Sequence, residues 1–445
     1  MADQWRQTEP GVFQRKACPM ERWMIKLSNM GSGSQKQHMS LTVAIQLQME
    51  IAPLEFAAEL HRAWLTIRRD HGTLASILDH QTEMWTYNAP NEAEITEWLG
   101  ETFMAITDPI PGPGILQIFP PPKRPTLYFL LDSNEIVLRA PPTHIDHKGI
   151  LLLAGTILRH ATNPDKVWPV FKWINLSPPY HTTVCLPAHT YYDIAKAERE
   201  MTRYLADLPS MRLPTLGLER ARSDNSPGET REITMHLSEF QTKHILELIA
   251  EEGFHYHHAV HAGIACATKK FHVNDNSDIY TGISYVDGRG HFDLDYHPAA
   301  VYSTAWFPSI KVTDFWTVMR QFKHGYQEIA QDPILPNVVD EMINLAIPQM
   351  RHVDFCPTEA LLTNLGILDR FIPDTGCDVR VANFELRCEI LTPAISVFVF
   401  FQRNELTLKA FFNDKYHDPE MAFDFLNRVM MEMHRGFDVP WSMDE

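Results

Sequence analysis

The chemistry most legible in this sequence centres on one histidine. His144 follows Pro141 and Pro142, which cannot continue a paired strand, and precedes Gly149 and an apolar run of helical length, Ile150 to Leu158. A neutral imidazole at such a junction can take the proton of an attacking hydroxyl or amine as the new bond forms, help worth roughly 10²- to 10⁴-fold. Its pKa near the working pH lets it accept and return that proton without a metal. Attack on a carbonyl also needs a donor for the oxyanion of the tetrahedral intermediate, a task a backbone N–H can serve. Two other groupings carry less. His255, His257, His258 and His261 crowd one segment, and His257 with His261 has the spacing of a helical metal pair. No carboxylate or cysteine stands at a clear third-ligand spacing, so no metal site is expected. Ser303 has acidic residues to pair with on paper, but no serine lies in a nucleophile-elbow pattern.

The elements that position His144 are a hairpin and a helix. Thr126 to Asp132 and Glu135 to Ala140 suit half-buried strands, and Ser133-Asn134 between them is a turn. Thr143 to Lys148 then forms a tight loop before the helix. Upstream, Leu41 to Met49 alternates as a strand, and Phe56, Leu60, Ala63, Trp64 and Ile67 give an amphipathic helix from Pro53 to about Asp70. A Pro- and Gly-rich connection fills Asp108 to Pro125, and a second breaker-rich stretch, Leu208 to Glu229, is read as a crossover. Beyond it come a strand around Ile233 to Leu237, a helix capped by Ser238 and Gln241, and a helix over about His257 to Phe271. A strand over Ile279 to Val286 follows. Three closing strands, Ala382 to Cys388, Ile395 to Phe401 and Leu406 to Phe411, lead to a last helix from about Pro419.

A strand, a His-x-x-x-Asp-Gly loop and an apolar helix resemble the signature of the CoA-dependent acyltransferase superfamily, which includes chloramphenicol acetyltransferase, plant BAHD enzymes and peptide-synthetase condensation domains. The loop here reads His144-Ile145-Asp146-His147-Lys148-Gly149, with Lys148 where the family has Asp and Thr143 where many members have a further His. Val286-Asp287-Gly288-Arg289 resembles the family's Asp-x-Arg element, and Thr363-Asn364-Leu365-Gly366 its Ser-Asn-x-Gly segment. His71-Gly72-Thr73-Leu74 is similar to a short segment after the first long helix. Trp5, Gly11, Arg15 and Glu21 look like the opening of fungal relatives of the trichothecene 15-O-acetyltransferase type.

The resemblance implies an α/β fold with two chloramphenicol-acetyltransferase-like lobes forming a V around a channel. The lobes would span 1–207 and 231–445, joined by a linker at 208–230. His144 would be the base, Asn364 and Tyr285 would line the channel, and Asp146, Lys148, Gly149, Asp287, Arg289 and Gly366 would shape the loops. The family's loop Asp forms a salt bridge with an arginine, so Lys148 reverses a charge. It must find an acid, with Asp146 or Asp287 nearest in sequence, or reach water, and must not face Arg289. No cofactor is expected to be bound; acyl-CoA would be a co-substrate, and a small natural product the acceptor. Two other readings follow from Lys148: a cyclase or isomerase using His144 as a proton shuttle on one substrate, and a non-catalytic binding protein.

Composition agrees with a globular chain large enough for two cores: 445 residues, 44% hydrophobic and 21% charged. A net charge of -17 argues against nucleic acid or an anionic membrane as the main partner. The N-terminal residues lack a signal-peptide pattern and the longest apolar run, near Ala394 to Phe401, is too short to span a bilayer, so a cytoplasmic monomer is expected. Six scattered cysteines are read as reduced and mostly buried.

Overall fold

The strands predicted around His144 form, and the helix after it begins two residues earlier than Gly149. The computed structural model describes residues 3–30, 36–110, 112–163, 174–184, 190–208, 228–272, 277–291, 300–332, 335–349, 360–372, 375 and 378–439. Most of the expected crossover, 209–227, lies outside the described residues, as do Cys185, Cys356 and Cys377. Cys18, Cys266 and Cys388 are buried free thiols.

The chain divides into two compact units. The first comprises Met1–Cys185, Asp287–Ser303 and Asp369–Glu389, and the second comprises Leu186–Val286, Thr304–Leu368 and Ile390–Glu445. The first carries β1 (Arg6–Glu9), β2 (Val12–Lys16), β3 (Leu41–Met49), β4 (Ile77–Asp79), β5 (Met84–Asn88), β6 (Phe103–Ile106), β7 (Thr126–Leu130) and β8 (Glu135–Ala140). The second carries β9 (Thr230–His236), β10 (Ile279–Thr281), β11 (Ser284–Asp287), β12 (Ser303–Trp306), β13 (Ser309–Lys311) and β14 (Ala360–Ile367). Last come β15 (Val379–Cys388), β16 (Ile395–Gln402) and β17 (Glu405–Asn413). The first unit has a four-stranded sheet in the order β1-β2-β5-β4 and a five-stranded sheet in the order β15-β3-β8-β7-β6. The second has a six-stranded sheet, β12-β11-β14-β16-β17-β9, and the pair β10-β13.

Two expectations are corrected. The boundary does not fall after Asp207: helix Tyr191–Asp207 packs on helix Leu335–Gln349, which belongs with it in the second unit. The three closing strands form as expected and enter two different sheets. β15 pairs antiparallel with β3, burying Phe384 and Leu386 in the first unit, while β16 and β17 form a hairpin in the other sheet. Finally, Ile279 to Val286 is two strands, broken at Gly282-Ile283 and entering different sheets.

In the first unit the helix Pro53–Asp70 buries Phe56, Leu60, Trp64 and Ile67 and packs against helix His147–Thr162. That second helix buries Ile150, Leu151, Leu153, Ile157 and Leu158, so the loop before it stands on a rigid platform. In the second unit, helix Tyr256–Phe271 packs on the C-terminal helix Pro419–Gly436. Its histidines pack among aromatic rings: His261 stacks on Phe322 at 3.8 Å between centroids, and its Nδ1 lies 3.0 Å from Tyr326 Oη. Among the described residues, no helix is long and apolar enough to cross a membrane.

This burial has a pH consequence. It pushes His38 and His257 down to about 4 and His258 to about 3, and lowers His261 as well. Below about pH 6.5 the unfolded chain takes up protons that the native state refuses, so stability falls with pH in that window. The urea midpoint should drop markedly between about pH 7.5 and 5, above the carboxylate range. An unchanged midpoint would show that these rings titrate normally.

Candidate active site

His144 is placed by three short elements of the first unit. Strand β8 ends at Ala140, and the turn that follows is closed by the His144 N–H donating to the Pro141 carbonyl at 3.1 Å. Helix His147–Thr162 starts at once, because the Asp146 carboxylate caps it by accepting the Gly149 N–H at 2.7 Å. The third element is the 3₁₀ turn Gly72–Ala75, in the segment flagged from the sequence. It is fixed by the Gly72 N–H donating to Asn175 O and by Ser76 Oγ donating to Thr73 O, and it delivers the Ser76 carbonyl to within 3.2 Å of His144 Nε2.

His144 is only 4% exposed. Nδ1 lies 3.2 Å from Thr143 Oγ1, and the edge of Trp85 meets the imidazole at 4.7 Å between centroids. Burial pushes the His144 pKa down to about 4, against the opposing pull of the Ser76 carbonyl, so the ring is neutral at pH 7 and a weaker base than the free imidazole whose pKa lies near the working pH. Trp85 is in turn covered by Arg15, whose guanidinium lies 5.4 Å from it and 5.0 Å from Trp5. Arg15 is held by two 2.6 Å hydrogen bonds to Glu21. The opening residues Trp5, Arg15 and Glu21 thus support the wall behind His144: Gly11, at φ +79°, turns the β1-β2 hairpin that presents Arg15, and Glu21 lies on the helix Pro19–Ser28 that follows.

The loop charges form one chain. Arg289 Nη1 donates to Asp146 at 3.0 Å and to Asp287 at 3.0 Å, while Lys148 Nζ donates to the other Asp287 oxygen at 2.7 Å. Asp146 also accepts the Tyr302 N–H at 2.7 Å, and the Arg289 guanidinium lies 5.4 Å from the Tyr302 ring centroid. The acid that pairs with the arginine therefore sits two positions before Lys148, and Lys148 extends the network. Burial alone would lower the Arg289 pKa, but Asp146 and then Asp287 outweigh it and raise it. Burial likewise works against ionised Asp287, and Arg289 and Lys148 hold it below the usual carboxylate range. Gly288 between them is tightly enclosed, since a Cβ there would lie 2.3 Å from the Tyr180 ring and 2.7 Å from Tyr302 O.

Asn364, Gly366 and Tyr285 are grouped in the second unit. Asn364 Oδ1 accepts Tyr256 Oη at 2.6 Å and the Gly366 N–H at 3.0 Å, which fixes the amide and leaves its NH₂ without a partner among the described residues. Gly366 follows the bulge in β14 with φ +74°, and buried Tyr285 on β11 stands opposite Thr363. Sequence reasoning did not find Ser76, Trp85 or Tyr302. Only Ser76 had a nearby signal, the His71-Gly72-Thr73-Leu74 segment. A cavity of about 870 Å³ opens beside His144 and Thr143 within the first unit. Its wall is apolar at Ile77, Leu78, Met104 and Phe119, and carries Lys36, Lys123 and Arg124 against one carboxylate, Glu101.

The two cations of the loop should differ in energetic weight. Arg289 has a side chain 8% exposed, so Arg289→Met leaves Asp146 with an uncompensated buried charge and should cost about 3 kcal/mol or more. Lys148 is 36% exposed, so Lys148→Met should cost no more than ~1 kcal/mol. Urea unfolding of both variants measures this, and equal losses would contradict the order.

No family model matches the chain. The chain is 21% identical over 452 residues to acetyltransferase pigO of Monascus ruber, covering 96% of this chain and 97% of that protein. It is 20% identical to O-acetyltransferase pigM of the same organism, covering 98% and 87%. A third relative, azaphilone biosynthesis cluster protein M of Aspergillus terreus, is 19% identical over 86% of this chain and 93% of its own length. Among solved structures, the trichothecene 15-O-acetyltransferase TRI3 of Fusarium sporotrichioides matches with a TM-score of 0.81 at 16% identity, covering 97% and 98% of the two chains. The EpoB cyclization-docking bidomain of Sorangium cellulosum matches with a TM-score of 0.67 at 14% identity, covering 96% and 88%. The chain carries the α/β fold of the CoA-dependent acyltransferase and condensation-domain superfamily, and it is an acyltransferase of the secondary-metabolite kind.

Proposed function

We propose that this enzyme moves an acyl group from CoA, or from a carrier thioester, to a hydroxyl or amine of a small natural product, with His144 as the general base. The observation that carries this reading is a neutral, buried imidazole at the wall of a cavity, on a loop locked by the Asp146–Arg289 pair. Neutrality at pH 7 lets the ring take the acceptor's proton. A locked loop keeps it in place without reorganisation as charge develops.

The cavity supports both substrates. Its apolar residues suit a fused-ring or polyketide body, in keeping with the azaphilone cluster of one relative. Lys36, Lys123 and Arg124 suit the phosphates of CoA, on a chain whose overall charge is -17. The names of the Monascus and Fusarium relatives favour acetyl as the group moved. Asn364, whose NH₂ has no partner among the described residues, is our candidate for a substrate-binding amide of the second unit, and Tyr285 supports the strand beside it. The departure at Lys148 gives no separate reason for cyclase chemistry, because Asp146 already occupies the arginine.

The reading is tested by mass spectrometry after incubation with acetyl-CoA and azaphilone-type acceptors. A product heavier by one acetyl group is expected, whereas an isobaric product would replace transfer by isomerisation. His144→Ala should lower kcat by roughly 10²-fold or more with little change in acceptor binding. Turnover within about threefold of the parent, in a folded variant, would remove His144 from the mechanism. Because burial pushes His144 down to about 4, kcat/KM should show no inflection near pH 6.5 assignable to a free imidazole.

A further inference from the structure

We propose that His144 uses Nδ1, and not Nε2, as its basic atom, and that the Thr143 hydroxyl relays the acceptor's proton to it. This rests on the proposed transfer reaction and adds to it a residue and a tautomer.

The tautomer follows from what each ring nitrogen faces. A peptide carbonyl has no proton to give, so the 3.2 Å contact between Nε2 and Ser76 O requires Nε2 to carry the hydrogen. In a neutral ring Nδ1 is then a lone pair. Its partner at 3.2 Å is Thr143 Oγ1, a group that can donate, so the hydroxyl proton points at Nδ1. The Ser76 carbonyl is fixed by the buried 3₁₀ turn and does not line the cavity, whereas Thr143 and His144 both do. The nitrogen facing Ser76 is therefore the anchored one, and the nitrogen bonded to Thr143 is the one whose partner belongs to the cavity lining. Thr143 is 1% exposed and makes no other side-chain hydrogen bond among the described residues, so its oxygen keeps lone pairs for an incoming donor.

The proton path balances. As the acceptor oxygen attacks the thioester carbonyl carbon and the C–O bond forms, its proton passes to Thr143 Oγ1 while the Thr143 proton moves to Nδ1. The ring becomes an imidazolium whose Nε2–H bond to Ser76 O strengthens. When the tetrahedral intermediate collapses and the C–S bond breaks, the sulfur takes a proton back along the same path. Ester and thiol are the products, and Thr143 and His144 return to their starting states.

Two measurements test this. Nitrogen-15 spectra of the histidine-labelled enzyme at neutral pH, assigned with His144→Ala, should show His144 protonated on Nε2; an Nδ1–H signal would overturn the proposal without reference to turnover. Kinetically, Thr143→Val keeps the shape and removes the hydroxyl. It should lower kcat on the order of 10²-fold with KM little changed, and Thr143→Ser should restore kcat to within about threefold. Full kcat in a folded Thr143→Val, or no rescue by Ser, would overturn the relay. If the parent enzyme transfers no acyl group, the proposed function fails while the spectrum still decides the tautomer.

Discussion

The site is organised by one buried carboxylate. Asp146 accepts the Gly149 and Tyr302 N–H groups and the Arg289 guanidinium, and its own N–H donates to the Ala300 carbonyl at 3.3 Å. A buried anion is tolerated only when its oxygens are satisfied, and here each bond also fixes a piece of backbone. Gly149 starts the helix, Tyr302 ties down the strand segment before β12, and Arg289 joins Asp287 and Lys148. His144, two residues upstream, inherits its position from this arrangement. Four alternating charges, Lys148, Asp287, Arg289 and Asp146, leave no net charge to be screened by water.

The geometry separates two duties that one ring has to combine. One ring nitrogen is committed to the Ser76 carbonyl, and the other meets a hydroxyl at the cavity. Behind the ring, Trp85 of β5 is backed by Arg15 of β2, which Glu21 and Trp5 hold in place, and burial here depresses the imidazole's basicity. The same desolvation that keeps His144 neutral makes the molecule acid-sensitive elsewhere, since His258 and His261 are buried and His257 half-buried with no acid against them in the described residues.

What the sequence revealed was local. The 3.6-residue period of Pro53 to Asp70, the alternation of Leu41 to Met49, and the Ser238-Gln241 capping box each form the predicted element, because their determinants lie within a few residues. The loop resemblance located His144 and Arg289. Spacing did not reveal which acid Lys148 would find: Asp146 and Asp287 were both near it, and only the packed structure shows Lys148 on Asp287 with Arg289 between the two acids. The pairing of β15 with β3, the break at Gly282-Ile283, and the delivery of Ser76 O and Trp85 to the ring are tertiary facts. Nothing in a local pattern of residues encodes a partner many elements away.

The claim on which the account turns is that Asp146, paired with Arg289, holds the loop that presents the base. A double-mutant cycle on Asp146→Asn and Arg289→Met, read in both urea stability and kcat, addresses it directly. The account predicts a coupling of about 2 kcal/mol or more, with the double variant little worse than either single one. Additive losses, or singles that leave kcat unchanged, would contradict it.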